Sequence, residues 1–182
     1  MKNILVLCTG NSCRSQIAHG YLNSYCKGKA NIYSAGIEVH GLNPIAIEVM
    51  IDDGIDISTN SSNNAQEYLS INFDFIITVC NHAHEKCPFI PNMNTLRIHK
   101  NFIDPSKFDL SEEESRNKFI LVRDQIKEFA KTQNNFSLFL SDKSKLVNYK
   151  NEEVRINYGS IKRHWEGNCN STFQRSFLSY FD

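Results

Sequence analysis

The chain has 182 residues, 41% of them hydrophobic, and 20 basic side chains balance 20 acidic ones. That length supports one domain with a substantial core, and a net charge of zero offers no electrostatic route to nucleic acid or a membrane surface. The first apolar run is too short for a signal peptide or a membrane span, so six cysteines in a cytoplasmic chain argue for catalytic or redox work, not a disulfide framework.

Residues 2–7 read as a buried strand that runs into Cys8-Thr9-Gly10-Asn11-Ser12-Cys13-Arg14-Ser15. A strand ending in cysteine, a tight turn, and an arginine-serine pair opening a helix form a nest of backbone N–H groups at a positive helix end. Such a nest suits a tetrahedral oxyanion held by Thr9, Gly10, Asn11, Ser12, Cys13 and Arg14. It is also expected to lower the pKa of Cys8 and make it a thiolate nucleophile. The planar fork of Arg14 can grip two oxygens at once. Gly10 permits close backbone approach, and Asn11 tolerates a left-handed conformation. The Ser15 hydroxyl is placed to donate to the Cys8 sulfur, and Cys13, between the chemical positions, is accessory.

Residues 15–26 follow as a helix with Ile17, Ala18, Tyr21, Leu22 and Tyr25 near one face. Residues 31–34 form a short second strand. Asn43-Pro44 caps a helix that runs to Ile51 and is stopped by Gly54. An Asn- and Ser-rich loop leads to a short helix at 65–69, then to the clearest strand, 73–79, rich in β-branched and aromatic residues. A cysteine-bearing loop over 80–91 precedes a strand at 95–99. Ser111-Glu112-Glu113-Glu114 is a capping box that opens a helix to about Lys131, with Phe119, Val122, Ile126, Phe129 and Ala130 as its apolar face. Beyond residue 134 the periodicity fades among Asn, Ser, Lys and scattered aromatics. The alternation predicts an α/β fold: a central parallel sheet of about four strands flanked by helices. Its active site belongs at the carboxyl ends of the strands, where Cys8, Cys80 and the segment after strand four all fall.

Residues 8–16 resemble the phosphate-binding loop of the low-molecular-weight tyrosine phosphatase superfamily and, within it, the thioredoxin-coupled arsenate reductases. The phosphatases usually carry proline where this chain has Gln16. The resemblance covers residues 1–132 and leaves 133–182 as a C-terminal extension with no assigned role. It implies reduction of arsenate to arsenite, with phosphate as competitor, thioredoxin as electron donor, no bound cofactor or metal, and a monomeric enzyme. Cys80 and Cys87 then correspond to the first and second resolving cysteines of a thiol relay. Asp104, in Asp104-Pro105, corresponds to the general acid. Ser106-Lys107 stand where the phosphatases place a ring-stacking tyrosine, and Ile103 stands where the reductases usually have a second aspartate. Some of these reductases bind potassium; the matching positions, Asn11, Ser34, His19 and Asn63, lack both acids, so no potassium dependence is expected.

Two cysteines seven positions apart bridge only if the segment between them folds or rearranges, so a loop that differs between reduced and oxidised protein is expected. Cys80, His82, His84 and Cys87 include good zinc ligand types, but one short segment would have to wrap the ion unaided. Solvent-facing histidines are the simpler reading. Two rivals to arsenate reduction stand beside it. One is a phosphatase acting on phosphorylated protein or small esters, with the second and third thiols as redox protection. The other is an oxyanion- or arsenite-binding redox sensor without turnover. Cys26 and Cys169 have no chemical context.

Overall fold

Ile4, Leu5, Val6 and Leu7 are all buried, which makes β1 (Lys2–Cys8) a strand covered on both faces. The computed structural model, which describes residues 1–86, 95–108, 111–133 and 155–158, sets β1 between β2 (Ala30–Gly36) and β3 (Phe75–Thr78). Next to β3 lies β4 (Leu96–His99), and each of these neighbouring pairs is parallel. The chain steps outward from β1 to β2 and then returns past β1 to β3. Direction therefore reverses at the β1/β3 pair, and the crevice beyond the carboxyl ends of those strands is where such sheets bind ligands. Cys8 ends β1, and Cys80 follows β3 by two residues.

Local chemistry sets the helices. In α1 (Arg14–Tyr25) the first turns are buried throughout, from Arg14 to Ala18, and Tyr21 and Leu22 continue into the core. Asn43 caps α2 (Pro44–Asp52): its side chain accepts from the N–H groups of Ile45 and Ala46, and Pro44 takes the first turn. Gly54, at φ +82°, ends it as expected. At the start of α4 (Glu112–Gln133), the Ser111 N–H and hydroxyl both donate to Glu114, whose N–H donates back to Ser111. The apolar face expected of α4 is the buried one. Tyr21 of α1 and Lys127 of α4 both donate to Asp53 at the end of α2, with contacts of 2.7 and 2.8 Å, and so fasten the three helices together.

Two segments depart from the sequence reading. The expected loop after Cys80 begins instead as a helix, α3 (Asn81–Lys86); residues 87–94, and Cys87 with them, lie outside the described residues. The C-terminal extension contributes β5 (Arg155–Tyr158), which pairs antiparallel with β4 and closes the order β2-β1-β3-β4-β5. The sheet is thus four parallel strands with an antiparallel fifth on the β4 edge. An unpaired edge strand exposes a row of backbone donors and acceptors, and β5 satisfies that row from within the chain.

Gly36, where β2 ends, touches the loop after β1. A Cβ there would stand 2.2 Å from the Glu38 carbonyl oxygen and 2.7 Å from the Asn11 nitrogen and the Thr9 carbonyl oxygen. All three are backbone atoms and cannot rotate aside. Gly36→Ala is expected to cost about 3 kcal/mol or more and to weaken phosphate binding, as thermal unfolding and phosphate titration would reveal. An unchanged melting temperature would contradict this packing.

Candidate active site

The loop between β1 and α1 is shaped from outside. The carbonyls of Cys8, Thr9, Gly10 and Ser12 accept the N–H groups of Ile37, Glu38, His40 and Asn43, at 2.8 to 3.2 Å. With its carbonyls tied to that segment, the loop directs amides at the Cys8 sulfur: the Asn11 N–H donates to Sγ at 3.1 Å. Asn11 sits at φ 48°, the left-handed conformation expected of it, and it is fully buried. Gly10 is packed differently from Gly36. A Cβ there would meet the ring of His40, an exposed side chain that can move, whereas at Gly36 it would meet backbone.

Ser15 Oγ lies 2.8 Å from Cys8 Sγ. It also accepts from Asn11 Nδ2 at 3.0 Å. Asn11 Oδ1 in turn accepts the Asn63 N–H at 3.0 Å. A backbone N–H can only donate, so the Asn11 amide is oriented with its NH2 toward Ser15. The single Ser15 hydroxyl proton is then available to Cys8 Sγ when the sulfur is a thiolate, whereas a Cys8 thiol can donate to Ser15 Oγ instead.

The lowering expected at Cys8 meets an opposing effect. Burial pushes its thiol up; the Ser15 hydroxyl and the backbone N–H groups of Asn11 and Ser15 pull it down, and nearby Cys80 adds to the rise. Loss of water around the sulfur outweighs the nest. The thiolate therefore depends on its hydrogen bonds, which gives a sign for pH. Ser15→Ala removes a lowering contact, so its rate of Cys8 alkylation and its kcat/KM should move to higher pH. At neutral pH both are expected to fall roughly tenfold, as a hydrogen bond to a charged group is worth. An unshifted profile would mean that Ser15 does not donate to the sulfur. Burial likewise pushes Cys13 up to about 11, with Asp104 and Cys8 adding to the rise. It stays protonated, in keeping with an accessory place.

Arg14 is held by the segment after β4. One guanidinium nitrogen donates to the Phe102 carbonyl oxygen at 3.1 Å, and the other donates to Asp104 at 2.6 Å. Two of its five N–H groups are used in this way, which leaves three for an anion in the loop. Asp104 in turn accepts from the Ser106 hydroxyl and N–H, at 2.8 and 3.2 Å, through its other oxygen. The expected acid and the expected anion grip are thus directly joined. Cys80 is buried at the same end of the sheet, its Sγ 3.4 Å from Thr9 Oγ1 and in reach of the Ala83 N–H at 3.4 Å. Of the expected site, the structure brings together the loop residues, Ser15, Arg14, Cys80 and Asp104.

The positions matched to a cation site form two hydrogen-bonded pairs, Asn11 with Asn63 and His19 with Ser34. The His19 ring and Ser34 Oγ are 3.0 Å apart, and burial pushes the His19 imidazole down, toward its uncharged form. The residue that sequence reasoning undervalued is Gln16, noted only as a departure from proline. It is fully buried and reaches Asn11 as well as the loop at 60–61. A polar residue at a buried helix position was the one available signal.

The model of the low molecular weight phosphotyrosine protein phosphatase family matches residues 3–135. An arsenate reductase of Halalkalibacterium halodurans is 44% identical over 131 residues, 72% of this chain and 94% of that protein. The arsenate reductase of Bacillus subtilis is 45% identical over 135 residues, 72% of this chain and 96% of its own length. A solved arsenate reductase in its phosphate-binding state superposes with a TM-score of 0.60 at 27% identity, covering 75% of this chain and 98% of that one. Matched over nearly the whole length of such relatives, the chain belongs to the low molecular weight phosphotyrosine protein phosphatase family, on its arsenate reductase branch.

Proposed function

We propose that this protein reduces arsenate to arsenite through a relay of Cys8, Cys80 and Cys87, with residues 1–132 carrying the chemistry. The observation that carries the reading is Cys80. A second buried thiol lies beside Thr9 of the oxyanion loop and near enough to Cys8 to influence its ionisation, and ester hydrolysis has no use for it.

Arsenate is held by Arg14 and the amides of Thr9 to Cys13, and Cys8 Sγ bonds to arsenic as one As–O bond breaks. Asp104 gives its proton to the departing oxygen, which leaves as water. Cys80 then attacks Cys8 Sγ. The sulfur–sulfur bond forms, the S–As electron pair stays on arsenic, and arsenic(V) departs as arsenic(III) in arsenite. Cys87 attacks Cys80, which releases Cys8 as thiolate and leaves a Cys80–Cys87 disulfide. An external dithiol protein of the thioredoxin type reduces that disulfide, supplying the two electrons. Phosphate shares the shape and charge of arsenate and competes for the loop; the phosphate-binding state of the solved relative supports this. The working form is a cytoplasmic monomer, and no described helix is long and apolar enough to cross a membrane.

NADPH consumption by the pre-reduced protein with thioredoxin, thioredoxin reductase and arsenate tests the proposal. Arsenate-dependent turnover that phosphate inhibits competitively supports it. A second reading, hydrolysis of phosphate esters, draws on the same Cys8, Arg14 and Asp104. Aryl phosphate hydrolysis without any arsenate-dependent turnover would make that reading the function. Stoichiometric oxyanion binding without either activity would favour a sensor.

A further inference from the structure

We propose that Gln16 is a positioning residue for this chemistry: its buried amide clamps Asn11, and through Asn11 it holds the Ser15 hydroxyl as a donor to Cys8. Gln16 is fully buried in the second position after Ser15's neighbour Arg14, in a turn of α1 where an apolar side chain would need no partners. Every polar atom of its amide is instead engaged. The two N–H groups of Nε2 are shared among three acceptors, Asn11 Oδ1 at 2.9 Å, the Asn11 carbonyl oxygen at 3.1 Å and the Ser61 carbonyl oxygen at 3.0 Å, so one of them is bifurcated. Its Oε1 accepts from Asn60 Nδ2 at 3.0 Å. Gln16 thus grips both the side chain and the main chain of the one residue that takes a left-handed turn without being glycine, among the described residues.

The consequence runs along a line of hydrogen bonds with one polarity. Gln16 and the Asn63 N–H donate into Asn11 Oδ1, Asn11 Nδ2 donates into Ser15 Oγ, and Ser15 has its proton left for Cys8 Sγ. Without Gln16, Asn11 loses one of two donors on its side-chain oxygen and a partner on its carbonyl. Its amide is then free to tilt, and the Ser15 proton can turn to it instead of to the sulfur. Asn60 and Ser61 extend the clamp to the segment beside the loop, so the brace spans two parts of the chain and not one helix turn. Proline, with no side-chain donor, could not make any of these bonds.

This inference rests on Cys8 as the nucleophile, but its readout does not need turnover. The rate of Cys8 alkylation by iodoacetamide, followed on the Cys8 peptide by mass spectrometry across pH, is compared in wild type, Gln16→Met, Ser15→Ala and the double variant. Methionine keeps the volume and loses the hydrogen bonds. Gln16→Met should move the profile to higher pH and slow alkylation at neutral pH roughly fivefold to tenfold. In the Ser15→Ala background it should add no further shift, because the hydroxyl it acts through is gone. A destabilised packing variant such as Val49→Ala should leave the profile in place, which separates positioning from general loss of stability. A wild-type profile in folded Gln16→Met, or an undiminished shift in the Ser15→Ala background, would overturn the proposal. Should Gln16→Met fail to fold, Asn60→Ala carries the same test, since it releases only Oε1 and should shift the profile in the same direction by less. Failure of arsenate turnover with a normal Gln16 effect on alkylation would count against the function and not against the clamp.

Discussion

A Cys80→Ser variant is expected to lose arsenate-dependent NADPH consumption by about a thousandfold or more, while hydrolysing an aryl phosphate at close to the wild-type rate. The reason is chemical, not structural. Serine is nearly isosteric and can keep the contacts to Thr9 and to the Ala83 N–H, each 3.4 Å in the native thiol. It cannot form a sulfur–sulfur bond, so the electron pair of the S–As bond has no route to arsenic. The reaction stops once arsenate is bonded to Cys8. Ester hydrolysis ends with water attacking the same intermediate type and asks nothing of Cys80. Loss of both activities would show that Cys80 supports the loop and is not a relay thiol. Undiminished arsenate reduction would move the relay to another cysteine. The companion Cys87→Ser should complete one reduction and then accumulate a Cys8–Cys80 disulfide, detectable by mass spectrometry without reductant.

The second large effect concerns Asp104. Asp104→Asn should lower kcat for arsenate by roughly a hundredfold to a thousandfold, the usual contribution of a general acid. An aryl phosphate with a nitrophenol leaving group, which departs without a proton, should lose far less. The ratio of the two effects is the measurement that matters, because the structure supplies a competing role. Asp104 holds one nitrogen of Arg14 at 2.6 Å, so its replacement also loosens the anion grip, although the Phe102 carbonyl still holds the other nitrogen. Loosening alone would weaken both substrates alike. Equal losses for arsenate and the activated ester would therefore assign Asp104 to orienting Arg14, and unequal losses to proton donation.

Together these variants probe a site assembled around one strand end, and they also mark how much of it could be read in advance. Cys8, Arg14 and Ser15 were legible because strand, turn and helix follow within one short segment, and the chemistry requires that order. The Asn43 and Ser111 caps were legible for the same reason: donor and acceptor lie two or three residues apart. Cys80 and Asp104 were legible chiefly through resemblance, since an isolated cysteine or Asp-Pro pair is common. The helix α3 was missed because Asn81-His82-Ala83-His84 carries no apolar period. Its backbone is anchored across the sheet instead, where the Asn81 N–H donates to Asn101 Oδ1 at 3.2 Å. The strand β5 was missed although Val154-Arg155-Ile156-Asn157-Tyr158 alternates apolar and polar residues, because so short a run stands alone in a tract rich in Asn, Ser and Lys and is a strand through its pairing with β4.

What the sequence by itself determined is the groups available: a thiol, a guanidinium and a hydroxyl in one loop, on a parallel α/β scaffold that puts strand ends together. Those features are local, and short-range hydrogen bonds and periodic burial suffice to specify them. The tertiary structure alone decided how that chemistry is poised. Gln16 meets Ser61 from 45 positions away, and Arg14 meets Asp104 from 90. Gly36 is hemmed in by the neighbouring Glu38 carbonyl and by backbone of Thr9 and Asn11 that arrives from the loop after β1. At Cys8, burial, a property of the whole packed domain, pushes the thiol up against the Asn11 and Ser15 hydrogen bonds that the motif supplies.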